Sequence, residues 1–320
     1  MKLSQLGEFG LIELIKSSQV KQRSTIIGIG DDAAVLEIPS SKLQTPNSLL
    51  RTKGKLLLVT TDALVENVHF KLKETSFYDL GYYSLFVNVS DISAMGGYPT
   101  HAFVTLALPK ETNVSDVKEF YRGLNSLAKK VKVDVVGGDT TASTSGWFIS
   151  ITLLGEVERE NLLTRSGAKV GDLICVTGRF GGAASRNFKL QTSNFKTRTK
   201  EGRIIAKSQL ATAMIDSSDG LVRSVLEIGK ASKVGALIDE IKVPIAKGAT
   251  LQQALHGGEE YELVFTLPKN NLNKLRHLLG GKNFTVVGEI KNKSWKVSLR
   301  DKQGKISRVT KGGFEHFHDQ

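Results

Sequence analysis

Residues 102–157 read AFVTLALPKETNVSDVKEFYRGLNSLAKKVKVDVVGGDTTASTSGWFISITLLGEV, and the order of patterns in this stretch decides the fold class. AFVTLALP (102–109) is an apolar strand. Val114, Val117, Phe120, Tyr121, Leu124 and Leu127 then fall at helical spacing. VDVVGG (133–138) and WFISITLLGEV (147–157) read as strands again. Strands and helices mix here without strict βαβ alternation, which predicts α+β layers in place of a doubly wound sheet.

Working towards the N-terminus, Phe77 to Met95 is helical in pattern, and LLLVTT (56–61) and IIGIG (26–30) read as strands. A polar, Pro-containing hairpin or loop occupies 39–55. Leu3, Leu6, Phe9, Ile12 and Ile15 recur every three residues and predict an opening amphipathic helix. Towards the C-terminus, a charged segment near 155–165 marks the expected boundary between domains 1–157 and 158–320. Beyond it come strand LICVTG (173–178), a Gly-rich turn, a basic polar segment and a helix after MIDSSDG (214–220). Strand VGALID (234–239), a helix ending near HGG (256–258), strand YELVFTLP (261–268), helix 271–279 and terminal strands complete the second half.

The chain has 320 residues, 44 Lys and Arg against 32 Asp and Glu, and a formal charge of +12. That length suits two domains. Residues 1–150 are nearly neutral, with 16 basic and 15 acidic side chains, and two basic stretches, 179–208 and 291–311, carry the excess. A single cysteine, Cys175, excludes an intrachain disulfide framework and a Cys-based zinc cluster. With no signal-peptide pattern and no apolar run of membrane-spanning length, the expected location is cytoplasmic, with no membrane partner. Walker A, HExxH, CxxC and GxSxG motifs are all missing, and VTGRFGG (176–182) does not match GxGxxG.

Acidic residues in small, glycine-rich or hydroxyl-rich turns are the notable feature. They are Asp31 and Asp32, Asp62, Asp91, Asp139, Asp216 and Asp219, most of them following an apolar run. Gathered carboxylates repel one another unless a cation neutralises them. Hard divalent cations such as Mg2+ take oxygen ligands and are commonly shared with phosphates, and Thr60, Thr61 and Ser218 offer hydroxyls. Asp is also a usual residue of turns and helix caps, so any one of these alone is more often structural. His69 reads equally as a core histidine or a phosphate-binding imidazole.

The segments IGDDAAV (29–35), TTDALVENVHF (60–70), VNVSDISAMGG (87–97), VVGGDTT (135–141), GAKVGDLICVTG (167–178), IDSSDGL (215–221), HGGEEYELVF (256–265) and GGFEHF (312–317) follow one another in an order that resembles the thiamine-monophosphate kinase family. That family lies within the aminoimidazole ribonucleotide synthetase and selenophosphate synthetase superfamily. The resemblance implies ATP-dependent phosphorylation of thiamine monophosphate to thiamine diphosphate. It also implies a homodimer in which N-terminal sheets pair into a barrel. By motif position it implies Mg2+ ligands at Asp32, Thr60, Thr61, Asp62, Asp91, Asp139, Asp216 and Asp219, with Asp62, Asp91 and Asp219 the catalytic carboxylates. Tyr121, Gly138, Asp139, Arg165 and Ser218 match nucleotide-contacting positions, and His69, Glu259 and Phe314 match substrate-contacting ones. Departures are Asn67, Ser217 and Glu260, where the family pattern has Gly, Ile and Asp, together with a divergent 183–210. A selenophosphate synthetase would need a reactive Cys near the N-terminus, and the related hydrogenase-maturation enzyme one at the C-terminus. Aminoimidazole ribonucleotide synthetase activity is the nearest alternative. An RNA-binding role for the basic segments, with Phe188 and Phe195 stacking on bases, is the disfavoured alternative from another class.

Overall fold

The computed structural model describes residues 3–17, 22–37, 54–185, 190–281, 284–309, 312–313 and 316. In chain order the first half contains α1 (Leu3–Ser17), β1 (Thr25–Ile27), β2 (Ala34–Glu37), β3 (Lys55–Val65), α2 (Phe77–Ala94), β4 (Tyr98–Pro109), α3 (Val114–Val131), β5 (Asp134–Ser143) and β6 (Phe148–Glu158). The second half contains β7 (Leu173–Thr177), α4 (Gly182–Ser185), α5 (Thr199–Ser208), β8 (Ala213–Asp216), α6 (Leu221–Ser232), β9 (Gly235–Asp239), α7 (Leu251–His256), β10 (Leu263–Leu267), α8 (Leu272–Leu278), β11 (Phe284–Lys291), β12 (Val297–Arg300) and β13 (Ile306–Arg308).

Each half builds one sheet, ordered β1-β2-β3-β6-β4-β5 and β13-β12-β9-β11-β7-β10-β8. Both are mainly antiparallel, with single parallel pairings at β4–β5 and β12–β9, so the architecture is α+β as the element order predicts. β3 and β6 run antiparallel from Lys55↔Glu158 to Val65↔Phe148. Strand residues alternate between faces, and the buried set on β4 and β6 (Ala102, Val104, Leu106, Ile149, Ile151, Leu153) packs on α2 and α3.

Helix α2 is the spine of the molecule. Fourteen of its eighteen residues are buried, which a helix on one sheet's surface would not show. It lies against β3, β6 and α3 on one side and touches α5 and β8 of the second half on the other. The α2–α3 approach requires two glycines. A Cβ on Gly81 would sit 1.9 Å from the Phe120 carbonyl oxygen, and one on Gly123 would sit 1.8 Å from that of Tyr78.

Three departures from the sequence reading have physical causes. The periodicity of α1 does not translate into burial throughout: Leu14 and Ile15 are exposed, and Gly7 (φ 72°) breaks the helical path. The strand expected over 26–30 ends at Ile27, and the chain turns into the acidic pair before β2. The basic polar segment holds a helix, α5, which buries Gly202, Ile205 and Ala206. The segment also supplies contacts rather than a free basic surface. Phe195 packs against Tyr83 and Phe86 with ring centroids 5.0 Å away in each case, Arg198 makes paired 2.6 Å hydrogen bonds to Glu262, and Arg203 bonds Glu158 at 2.8 and 3.0 Å. Phe188 lies outside the described residues, as does most of the 39–55 loop.

Gly81→Ala should lower stability by about 3 kcal/mol, because a Cβ forced against backbone cannot be relieved by a rotamer change. Urea denaturation checks this, and an unchanged midpoint would show that the α2–α3 contact can yield.

Candidate active site

Three carboxylates from distant parts of the chain converge. Asp32 comes from the turn before β2, Asp91 from the last turn of α2, and Asp216 from the end of β8, and one oxygen of each lies within 4.8 Å of the others. Asp32 and Asp216 are buried, at 7% and 3% exposure. On β3, Thr60 and Asp62 share a face because residues two apart in a strand point the same way. The Thr60 hydroxyl donates to Asp91 Oδ2 at 2.5 Å, and Asp62 shares a hydrogen bond with Asp91. Ser90 donates to Asp216 Oδ2 at 2.6 Å. Arg165 donates to Asp32 Oδ1 through Nε at 3.1 Å and a terminal nitrogen at 2.7 Å, while its main-chain N–H reaches Asp31.

The electrostatics follow from crowding acids in a poorly solvated cleft. Burial, then repulsion from Asp32, pushes Asp216 up to about 8. Burial, then Asp32, pushes Asp31 up to about 7 against the pull of Arg165. Asp62 rises to about 6 through burial, and Asp219 to about 6 through burial and then Glu8. Asp91 stands well above the usual carboxylate range through burial and then Asp62, Asp216 and Asp32. Asp32 is raised by burial, and its buried Oδ2 has no hydrogen-bond partner among the described residues. An all-oxygen cluster with an orphaned buried carboxylate oxygen fits a hard divalent cation.

Thr61 faces the opposite side of the sheet, where its hydroxyl accepts from Thr152 at 3.2 Å, so its side chain is not among the clustered groups. Asp139 lies exposed on the edge strand β5 and accepts from the Thr140 amide at 2.9 Å. Gly138 beside it has φ 147°, and a Cβ there would meet the Val104 carbonyl at 1.8 Å. Tyr121 is half-buried on α3, edge-on to Phe120. Asp219 and Ser218 are half-buried in the loop before α6. His69 Nδ1 accepts from the Val65 amide at 3.0 Å, and its ring lies 5.1 Å from that of His316. Burial and then His316 lower its pKa, which keeps the imidazole neutral. Glu259 accepts from the Tyr83 hydroxyl at 3.0 Å and is pushed up to about 7 by burial. Phe314 lies outside the described residues. Ser90 was missed by sequence reasoning, although a hydroxyl directly before Asp91 in an otherwise apolar helix is a usable signal.

Comparison with known proteins adds an independent line. Residues 30–157 match the family model "AIR synthase related protein, N-terminal domain", and 169–300 match "AIR synthase related protein, C-terminal domain". The chain is 36% identical to the thiamine-monophosphate kinase of Buchnera aphidicola subsp. Schizaphis graminum, covering 98% of this chain and 99% of that protein. It is 33% identical to that of Bacillus subtilis, covering 98% and 100%. A solved structure described as AaThiL complexed with AMPPCP and TMP superposes with a TM-score of 0.81 at 32% identity, covering 99% of both chains. The HypE-HypF complex, at 20% identity and TM-score 0.73 over 94% of this chain and 99% of that one, shares the fold.

The raised carboxyls bind protons more tightly in the folded protein than in the unfolded chain. Their contribution to stability is therefore complete below the ordinary value near 3.8 and is lost as pH rises through about 6 to 8. His69 and His256, both lowered, work the other way and are outnumbered. With chelator present, the urea midpoint should fall between pH 5.5 and pH 8.5, roughly spanning these values. Mg2+ should raise it more at the higher pH. A midpoint that climbs with pH in chelator would contradict the electrostatics of this cluster.

Proposed function

The chain belongs to the thiamine-monophosphate kinase family, and from that premise we propose that it transfers the terminal phosphoryl group of ATP to thiamine monophosphate, giving thiamine diphosphate. The observation that carries this reading is the convergence of Asp32, Asp91 and Asp216 from both halves of the chain. The family relatives and the ATP-analogue and TMP complex of AaThiL support the substrates.

The chemistry explains the residue types. The acceptor, a phosphate monoester, is already largely dianionic near neutral pH, so no general base has to remove a proton. The difficulty is holding two anionic groups in line, and Mg2+ held by the clustered carboxylates would supply the charge neutralisation for this. Asp32, Asp62, Asp91, Asp216 and Asp219, with Asp139 from the edge strand, are the residues we assign to holding the metal, the Thr60 hydroxyl orienting Asp91. Arg165 neutralises Asp32, and Arg165, Tyr121, Gly138, Asp139 and Ser218 are the residues we assign to the nucleotide. His69, Glu259 and Phe314 are assigned to thiamine monophosphate. Transfer is direct, without a phosphoenzyme.

Residues 1–157 form the ATP- and Mg2+-binding and dimerisation domain in this reading, and 158–320 the second domain. The ten-residue edge strand β5, exposed along nearly its whole length, supports a homodimer whose sheets continue across the interface, since long open edges invite pairing. Among the described residues no helix is long and apolar enough to cross a membrane, and the location we assign is cytoplasmic.

Purified protein with ATP and Mg2+ should convert thiamine monophosphate to thiamine diphosphate and leave formylglycinamidine ribonucleotide untouched; the reverse preference would overturn the assignment. Asp62→Asn and Asp91→Asn should each cut kcat by at least roughly 100-fold with the fold retained, and chelation should abolish turnover. Near-normal rates in both variants would remove the carboxylate cluster from the reaction.

A further inference from the structure

The turn that carries Glu259 is held in an unusual conformation. Glu259 and Tyr261 have φ values of 65° and 51°, a left-handed region that non-glycine residues occupy at a cost and that clusters at functional sites. Two main-chain bonds tie the turn to the acidic loop: Glu259 N–H donates to the Ser218 carbonyl at 2.5 Å and Tyr261 N–H to that of Ser217 at 2.9 Å. The Glu259 backbone is therefore registered against the loop that carries Asp216 and Asp219.

The side chain is registered from the other half of the molecule. Tyr83, on α2 and 1% exposed, donates its hydroxyl proton to Glu259 Oε1 at 3.0 Å. The Tyr261 hydroxyl lies 2.9 Å from the same oxygen of Tyr83. Tyr83 has one proton and gives it to the carboxylate, so Tyr261 is the donor in that second bond. Of these two bonds, only the one from Tyr83 touches the carboxylate. Phe195 packs on the Tyr83 ring. The second carboxylate oxygen, Oε2, takes no part in these two bonds. Seven residues along α2, and so on the same helix face, Ser90 reaches Asp216. One helix thus sets the direction of a carboxylate in the metal cluster and of a carboxylate outside it.

We propose that Tyr83 is a positioning residue for substrate recognition: its buried hydroxyl fixes the Glu259 carboxylate so that Oε2 accepts a hydrogen bond from a polar N–H group of the acceptor substrate. The proposal rests on the assignment of thiamine monophosphate as acceptor and deepens it. Tyr83 touches no substrate, and its effect is transmitted wholly through Glu259. Removing the hydroxyl leaves the ring and its packing in place, frees the carboxylate to turn, and leaves the metal cluster intact.

The test is steady-state kinetics of Tyr83→Phe, Tyr261→Phe, Glu259→Gln and the Tyr83→Phe/Glu259→Gln double variant, with calorimetric titration of thiamine monophosphate and urea unfolding of each. Tyr83→Phe should raise KM for thiamine monophosphate and weaken its binding by about 10-fold, the scale of a hydrogen bond to a charged group. KM for ATP should stay at the wild-type value. The double variant should be no worse than Glu259→Gln alone, a non-additivity that general loosening of the core would not produce. Tyr261→Phe, which leaves the Tyr83–Glu259 bond in place, should change KM for thiamine monophosphate by less than about threefold. An unchanged KM in Tyr83→Phe, equal rises in both KM values, additive effects in the double variant, or a Tyr261→Phe effect as large as that of Tyr83→Phe would each overturn the proposal. Failure of the wild-type protein to convert thiamine monophosphate would sink the functional reading itself, whereas an active wild type with a normal Tyr83→Phe variant sinks this inference alone.

Discussion

The backbone contact between α2 and α3 at Gly81 and Gly123 is the constraint on which the cleft depends. With any side chain at either position the two helices would have to separate, and α2 would lift from the sheet that buries it. Because α2 also meets α5 and β8, such a shift would be felt in the second half of the chain. Interiors packed at crystal-like density transmit displacement rather than absorb it. A contact between two glycines and two carbonyls therefore helps to fix α2, the helix from which Asp91 and Ser90 meet Asp216.

That placement would be unfavourable on its own. Asp32, Asp91 and Asp216 repel one another in a cleft with little water, and several acids respond by holding protons far above the usual carboxylate range. The fold offsets part of this with single, short, directional bonds from Thr60 and Ser90 and with the guanidinium of Arg165. None of these supplies a full countercharge to the whole cluster. A folded protein that retains such local conflict does so where function requires it, and here the unresolved charge is of the sign and hardness that a divalent cation satisfies.

How much of this could be read from the sequence depended on the range of each interaction. The strand–helix–strand–strand order of 102–157 was legible, because local periodicity follows from which faces are buried. Asp32, Asp62, Asp91 and Asp216 were legible as candidates because each lies at or near an apolar run among small or hydroxyl residues, although Asp62 sits within β3 and Asp91 within α2 and not in turns. Their convergence was legible only through the family resemblance, since contacts such as Ser90–Asp216 join residues 126 positions apart and leave no trace in local pattern. Helix α5 was obscured for a related reason: its buried face is only Gly202, Ile205 and Ala206, too small to stand out among basic residues. Thr61 marks a different limit. A hydroxyl next to Asp62 in sequence is on the other side of the sheet in space, because strand neighbours point to opposite faces.

The charge distribution draws these points together. A net charge of +12 suggests a molecule that meets anions with lysine and arginine, yet several arginines are engaged within the protein: Arg165 with Asp32, Arg198 with Glu262, Arg203 with Glu158. Each of these pairs is substantially buried, where breaking a pair costs far more than an exposed one contributes. Arg198 and Arg203 belong to the basic stretch 179–208, and both secure it to neighbouring elements: Arg198 to Glu262, Arg203 across to Glu158 of the first half, while Phe195 packs on the Tyr83 ring. This segment is thus part of the wall behind Glu259. Replacing Phe195, Arg198 or Arg203 would remove the partner that the Tyr83 ring, Glu262 and Glu158 each have in this segment.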